Sequence, residues 1–281
     1  MSRGVLRPAS RGERARTGSR LKGARHIWYR PPPAEPHVPG PRAAAMKIIA
    51  LGDIHGNLPA LDVALRESRA EGYDVICHTG DLVGFAPFPG ETVALVRSEK
   101  IPGVRGNVDE SVSTQAEDFG SHGSEGQRRR LEEMAYAWTV GYTGRLTRGN
   151  LADLPFERRL EAGGRRTVVV HANPIDSSTC LWEDRDEDYF REMGDAADAD
   201  IIIFGHTHRP YHRIVDGRHF VNAGSVGYAA DAPGQTGYVV ITVNGNVEVQ
   251  QRRFPYDVDR LARAAKERRF PAEALGLFKA S

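Results

Sequence analysis

Lys47-Ile48-Ile49-Ala50-Leu51-Gly52-Asp53-Ile54-His55-Gly56-Asn57 is the stretch whose reading decides the fold. A short apolar run that ends abruptly in Gly-Asp reads as a buried strand feeding a polar loop. Immediately after it, Leu58, Leu61, Leu65 and Ser68 recur at helical spacing over residues 58–70, and Gly72 closes that helix. Residues 74–78 form a second strand that ends at Gly80-Asp81. A helix is expected over 90–99, and a third strand over 101–104 running into Gly106-Asn107. Strand–helix–strand alternation argues for crossover units in a mixed α/β domain.

The rhythm breaks over 113–150, which is polar and glycine-containing up to Gly126 and helical from Gln127 to about Val140. That stretch is read as a small helical lid inserted on the fold. The pattern then resumes with strands at 167–170, ending at His171, and at 201–204, ending at Gly205-His206. Residues 210–222, 237–243 and 247–252 read as antiparallel strands joined by turns at Asp216-Gly217 and Asn244-Gly245. A terminal helix is expected over 260–268, and no internal repeat of 20–50 residues is present.

The informative feature is where the polar residues fall. Five apolar segments end in Asp53 and His55, Asp81, Asn107, His171, and His206 with His208. Ligands collect at the carboxyl ends of strands in open α/β sheets, so these seven donors are expected along one edge of one sheet. Taken singly, an aspartate there caps the next helix, and His78 within Val75-Ile76-Cys77-His78 reads as a hydrogen-bonded core residue. Taken together, carboxylate, amide oxygen and imidazole suit Mn²⁺, Fe²⁺, Zn²⁺ or Ni²⁺. Seven donors exceed the needs of one ion and suit two that share a carboxylate.

Gly52-Asp53-Ile54-His55-Gly56-Asn57, Gly80-Asp81, Gly106-Asn107, His171 and Gly205-His206-Thr207-His208 together resemble the calcineurin-like metallophosphoesterase superfamily. Asn222-Ala223-Gly224-Ser225-Val226-Gly227 further resembles its compact phosphodiesterase branch, where Asn-Pro-Gly-Ser-Val-Gly is usual. The resemblance covers residues 46–252 and implies a four-layer α/β/β/α sandwich of two mixed sheets with flanking helices, the site lying between the sheets' loop ends. It implies one divalent ion on Asp53, His55, Asp81 and His208, and a second on Asp81, Asn107, His171 and His206. Mn²⁺ is the first expectation for both. A hydroxide bridging the two ions would attack the phosphorus in line, so no protein nucleophile is needed.

One position departs from the pattern. Many members carry a histidine after the Asn of the third motif, believed to protonate the leaving group; here the sequence is Gly106-Asn107-Val108-Asp109. Valine donates no proton, so Asp109, water or His122 would have to substitute, or no donor is required. Good leaving groups, as in aryl phosphodiesters, should therefore react best. Arg105 and Asn107 are candidate substrate contacts, whereas Arg128, Arg129 and Arg130 read more as a solvated helical face. The expected activity is hydrolysis of a small phosphodiester or nucleotide-like substrate. The alternatives are a phosphomonoesterase, protein phosphatase or dinucleoside polyphosphate hydrolase, and a non-catalytic scaffold such as the retromer subunit that shares this fold.

Composition sets the outer limits. Of 281 residues, 38 are basic and 37 acidic, but residues 1–45 hold ten basic against two acidic residues (+8), leaving 28 against 35 (−7) in the rest. Seven of the 17 prolines also lie in 1–45, so this segment is expected to be a disordered basic extension; the reading favoured here is an over-extended gene start with Met46 as the initiator. An acidic folded part argues against stable duplex nucleic acid as a partner. No apolar stretch approaches the roughly 18–20 residues of a membrane span. Two cysteines, Cys77 and Cys180, offer no disulfide framework and point to the cytoplasm.

Overall fold

Alternation along three strands builds the core. In the computed structural model, which describes residues 44–120 and 125–278, β1 spans Met46–Leu51. Its Ile49 and Leu51 pack into a cluster on one face, and Ile48 and Ala50 into a second cluster on the other. β4 (Arg165–Val169) and β5 (Ile201–Phe204) divide in the same way. Val169, Ile201 and Ile203 join the Ile48 cluster, while Val168, Ile202 and Phe204 enter a third. Strands buried on both faces carry continuous apolar runs rather than alternating ones. Each fully buried Ile or Leu side chain contributes about 1.5–3 kcal/mol.

The three clusters are the three seams of a four-layer sandwich. One sheet has the order β2-β1-β8-β9, with β2 at Val75–His78, β8 at Gln235–Val243 and β9 at Val247–Pro255. β2 runs parallel to β1, β8 antiparallel to β1, and β9 antiparallel to β8. The other sheet is β3-β4-β5-β7-β6, with β3 at Arg158–Ala162, β6 at Tyr211–Val215 and β7 at Arg218–Asn222. Its β4, β5 and β7 are parallel and its two edge strands antiparallel. Outside the first sheet lie α1 (Leu58–Glu71), α2 (Pro89–Ser98), α3 (Asn107–Thr114), α4 (Gly126–Tyr142), α5 (Arg145–Ala152) and α7 (Val258–Glu267). Outside the second lies α6 (Glu187–Ala197), whose Phe190, Met193 and Ala197 face Phe220 and Ile202.

Three differences from the sequence reading affect the site. Residues 101–104 form no strand: they touch β2 through a single bridge, His78 to Gly103, with the Pro102 carbonyl accepting from the His78 N–H. Pro102 has no N–H to continue a ladder. The residues after it start α3, a helix not anticipated. Ala135 and Tyr136 of α4 lie in the same core cluster as α1, so this helical part of the expected lid packs into the core. The expected extension at 1–45 falls, but for its last two residues, outside the described residues.

Candidate metal centre

The donors arrive from two sheets, which corrects the expectation of one sheet edge. β1 and β2 deliver Asp53, His55 and Asp81, while β4 and β5 deliver His171, His206 and His208; Asn107 opens α3. Their side chains form two groups, Asp53 with His55 and His208, and Asp81 with His171 and His206, each with ligand atoms within 4.8 Å of one another. His55 Nε2 and His208 Nε2 are 2.9 Å apart, and His171 Nε2 lies 2.8 Å from Asn107 Oδ1 and 3.1 Å from His206 Nδ1. Asp81 Oδ2 stands between the groups, 3.8 Å from His55 Nε2 and 3.5 Å from His171 Nε2.

Backbone carbonyls set the tautomers. His55 Nδ1 donates to the Val83 carbonyl, His171 Nδ1 to Thr79 and His206 Nε2 to Ser178, at 3.2, 2.8 and 2.8 Å. Each ring therefore turns a lone pair toward the cavity, the arrangement that metal-binding histidines adopt. His171 Nε2 and His206 Nδ1 then face each other with no hydrogen to share, a repulsion that a cation held by the two rings would relieve. Burial holds the imidazoles neutral, lowering His55 to about 3, His171 to about 4 and His208 well below its ordinary value. Burial raises Asp53 well above the ordinary carboxylate range, with the neighbouring Asp81 charge adding to it, and raises Asp81 to about 7. Neutral imidazoles beside carboxylates that resist ionisation form a donor set that divalent metal ions fit.

The loops are held in costly conformations. His55, Asp81, His206 and His208 have φ of 51, 49, 66 and 58°, the left-handed region that non-glycine residues avoid at roughly 1–3 kcal/mol each. Hydrogen bonds offset that cost. The Ile54 and His55 N–H groups both donate to the Asp81 carbonyl, and the His206 N–H to Asp53 Oδ2 at 3.0 Å. The Asn222–Gly227 motif is a clamp rather than a ligand. Asn222 Nδ2 donates to the Gly205 carbonyl, Ser225 Oγ and the Gly227 N–H to that of Asp53, and Asn57 Nδ2 to that of Gly227. Close approach explains two motif glycines: a Cβ at Gly106 would sit 2.0 Å from Asp81 Oδ1, and one at Gly205 2.3 Å from Asp53 Oδ2.

The cavity at this centre has about 40 Å³ of free space. Its walls include His55, Asp81, Asn107, His206 and His208, and also Val108, Phe85, Cys180, Trp182, Thr207, Arg128 and Glu132. Arg105 is not among them: its guanidinium donates to the Ala152 carbonyl and faces Glu110 at 3.6 Å. Of the three arginines opening α4, Arg128 reaches the cavity, contrary to the solvated-face reading. Arg129 pairs with Asp118 and Glu133 over the Phe119 ring, and Arg130 is exposed. Glu132 receives Arg128 Nε at 3.2 Å and the Tyr228 hydroxyl at 3.1 Å. Asp109 takes no place in the cavity; its carboxylate accepts from the Leu82, Val83 and Gly106 N–H groups. His122 lies outside the described residues. His78 is fully buried with Nδ1 accepting from the Gly80 N–H, as a core histidine would be.

The sequence reading assigned none of Trp182, Cys180 and Thr207 to the cavity wall. Trp182 and Cys180 sit in the irregular 173–186 loop, where no periodicity marks a facing residue. Thr207 lay in plain view between two ligands.

The profile of the calcineurin-like phosphoesterase superfamily domain matches residues 46–246. An uncharacterised protein of Methanocaldococcus jannaschii is 25% identical over 241 residues, 80% of this chain and 93% of that protein. Among solved structures, a hypothetical protein from Pyrococcus horikoshii OT3 superposes with TM-score 0.69 at 19% identity, covering 83% of this chain and 97% of that one. A metallophosphoesterase from Sphaerobacter thermophilus superposes with TM-score 0.66 at 24% identity, covering 84% and 98%. With the profile spanning most of the chain and the donor groups in place, this protein belongs to the calcineurin-like phosphoesterase superfamily.

Proposed function

We propose that this protein is a two-metal phosphodiesterase. The observation that carries the reading is the pair of buried donor groups, one containing Asp81 and the other reaching within 3.8 Å of its carboxylate through His55. Asp53, His55, Asp81 and His208 would hold one ion, and Asp81, Asn107, His171 and His206 the other, with Mn²⁺ the expected occupant. When bound, such ions supply Lewis acidity that activates water near neutral pH and neutralises phosphoryl oxygens. The chain's own residues position the donors, exclude bulk water and leave nucleophilic attack to water. Burial pushes the Cys180 thiol up to about 11, so it stays protonated at neutral pH and is no nucleophile.

Two features favour diesters over monoesters. Val108 is buried against the cavity where a proton donor would stand, so poor leaving groups receive no help from this position. Arg128 is the one arginine or lysine among the described residues lining the cavity, and Glu132 already partners it. The Glu132 carboxylate on the same wall repels the two charges of a monoester more than the single charge of a diester. The first turns of α4 carry Arg128 and Glu132 over the opening, and we assign to this part of 113–150 the role of capping the substrate. Two free, buried cysteines accord with a reducing compartment, and we place the protein in the cytoplasm.

Hydrolysis of bis-(p-nitrophenyl) phosphate beside p-nitrophenyl phosphate, with Mn²⁺ or with a chelator, on wild type and His171→Ala, tests this. Metal-dependent turnover favouring the diester, and lost in the variant, is the expected result. Monoester preference would replace the reading with a phosphomonoesterase. Absence of both turnover and metal would point to a scaffold.

A further inference from the structure

The metal cavity is too small for a substrate. About 40 Å³ accommodates roughly two or three waters, which is room for reacting oxygens and not for an organic group. The organic part must lie in adjoining space. A second cavity, of about 460 Å³, shares Trp182 and Thr207 with the first. Trp182 is half-buried, and the Arg209 guanidinium lies 5.9 Å from its ring centre. Pro210 and Tyr211 continue the wall, and the acidic Glu183 and Asp184 complete it.

The segment bearing Trp182 is irregular yet fastened. Arg213 Nη1 donates to the Glu183 and Arg185 carbonyls, and the Tyr211 hydroxyl to that of Leu181. The Arg185 N–H closes a turn on the Trp182 carbonyl at 3.2 Å, and the Ser178 carbonyl receives His206 Nε2. The indole is thus tied through its own loop to one of the metal-facing histidines, and its position relative to the reacting phosphorus is preset. Preset geometry lowers the ordering cost of binding.

We propose that this second cavity is a subsite for a planar aromatic group of the substrate, a nucleobase or a ring of that size, stacked on Trp182 beside Arg209. Aromatic faces bind bases with little regard to their identity. Glu183 and Asp184 in the same wall repel further phosphates, so the substrate carries one phosphoryl group and not a polyphosphate chain. This proposal rests on the phosphoesterase reading above and narrows its substrate class to nucleotide-like diesters.

Adenosine 5′-monophosphate and ribose 5-phosphate present the same phosphate with and without a base. Binding of each to the Mn²⁺-loaded protein is measured by calorimetry and by tryptophan fluorescence, the Trp182→Phe signal isolating the quench of Trp182 from the other two tryptophans. The expected result is binding about tenfold tighter for the nucleotide, with quenching of Trp182. Trp182→Ala should lose that preference, its affinity for the nucleotide falling about tenfold toward that for ribose 5-phosphate. Trp182→Phe, which keeps a ring, should retain most of the preference and so guards against misfolding in the alanine variant. Equal binding of the two compounds by wild type would overturn the subsite, as would a preference undiminished in Trp182→Ala. Turnover of bis-(p-nitrophenyl) phosphate without base preference would sink the subsite alone. Failure to bind any phosphate would sink it together with the phosphoesterase reading.

Discussion

Val108 and His78 show how single positions separate chemistry from architecture. Val108 Cγ1 would lie 3.0 Å from a Cβ at Gly84, and the Val108 N–H donates to Asp81 Oδ1 at 2.9 Å, so the backbone at this position is tied to the centre whatever side chain it carries. Val108→His should raise turnover of an alkyl phosphate monoester relative to p-nitrophenyl phosphate by supplying a proton to the poor leaving group, at about tenfold or more; an unchanged ratio would show that no donor is wanted there. His78 is buried, its Nε2 has no hydrogen-bond partner among the described residues, and burial lowers its pKa to about 3. A histidine held neutral contributes stability in full above the unfolded value of about 6.5, and that contribution is lost as pH falls toward 3. His78→Asn keeps an acceptor for the Gly80 N–H and cannot titrate. Between pH 6.5 and 3 its unfolding free energy should therefore fall less steeply than wild type's, by up to about 1.4 kcal/mol per pH unit; parallel curves in urea denaturation would contradict this.

At the scale of elements, the apolar runs were legible and the polar helices were not. β1, α1, β2, α2 and β5 fall within a residue or two of the ranges read from spacing, because each is a continuous apolar run or an amphipathic stripe. α3 is built from Asn107-Val108-Asp109-Glu110-Ser111-Val112-Ser113-Thr114, a composition with little helix propensity. It forms because Asp109 caps the Gly106 N–H, a tertiary and capping effect that spacing does not reveal. β3 is a charged edge strand without alternation, whereas α6 carried a readable signal in Phe190, Met193, Gly194 and Ala197 that was passed over. All seven candidate ligands were legible and converge; the side walls contributed by α4 and the 173–186 loop were not. The α3 entry is also where steric margin is smallest. Gly106→Ala should destabilise the protein by about 3 kcal/mol and weaken Mn²⁺ binding more than tenfold, since its Cβ displaces Asp81; wild-type melting temperature and metal affinity would refute the close-approach argument.

Across the whole molecule, two sheets that share one apolar seam bring together donors from opposite halves of the sequence: Asp53 and His55 from one side, His206 and His208 from more than 150 residues later. Left-handed backbone at four of these positions and the burial that raises the pKa of Asp53 and Asp81 are costs concentrated at this one centre. All seven donors and every described cavity wall lie between residues 46 and 278. Protein beginning at Met46 should therefore retain the full metal-dependent turnover of the complete chain, and loss of activity on that truncation would assign residues 1–45 a role in catalysis. The most direct test of the account is the metal content of the protein after Mn²⁺ loading and desalting, measured per chain by elemental mass spectrometry on wild type, His55→Ala and His171→Ala. The account predicts two ions in wild type and about one in each variant, the two losses falling on different sites. Wild type that retains no metal, or a single ion unaffected by either substitution, would contradict it.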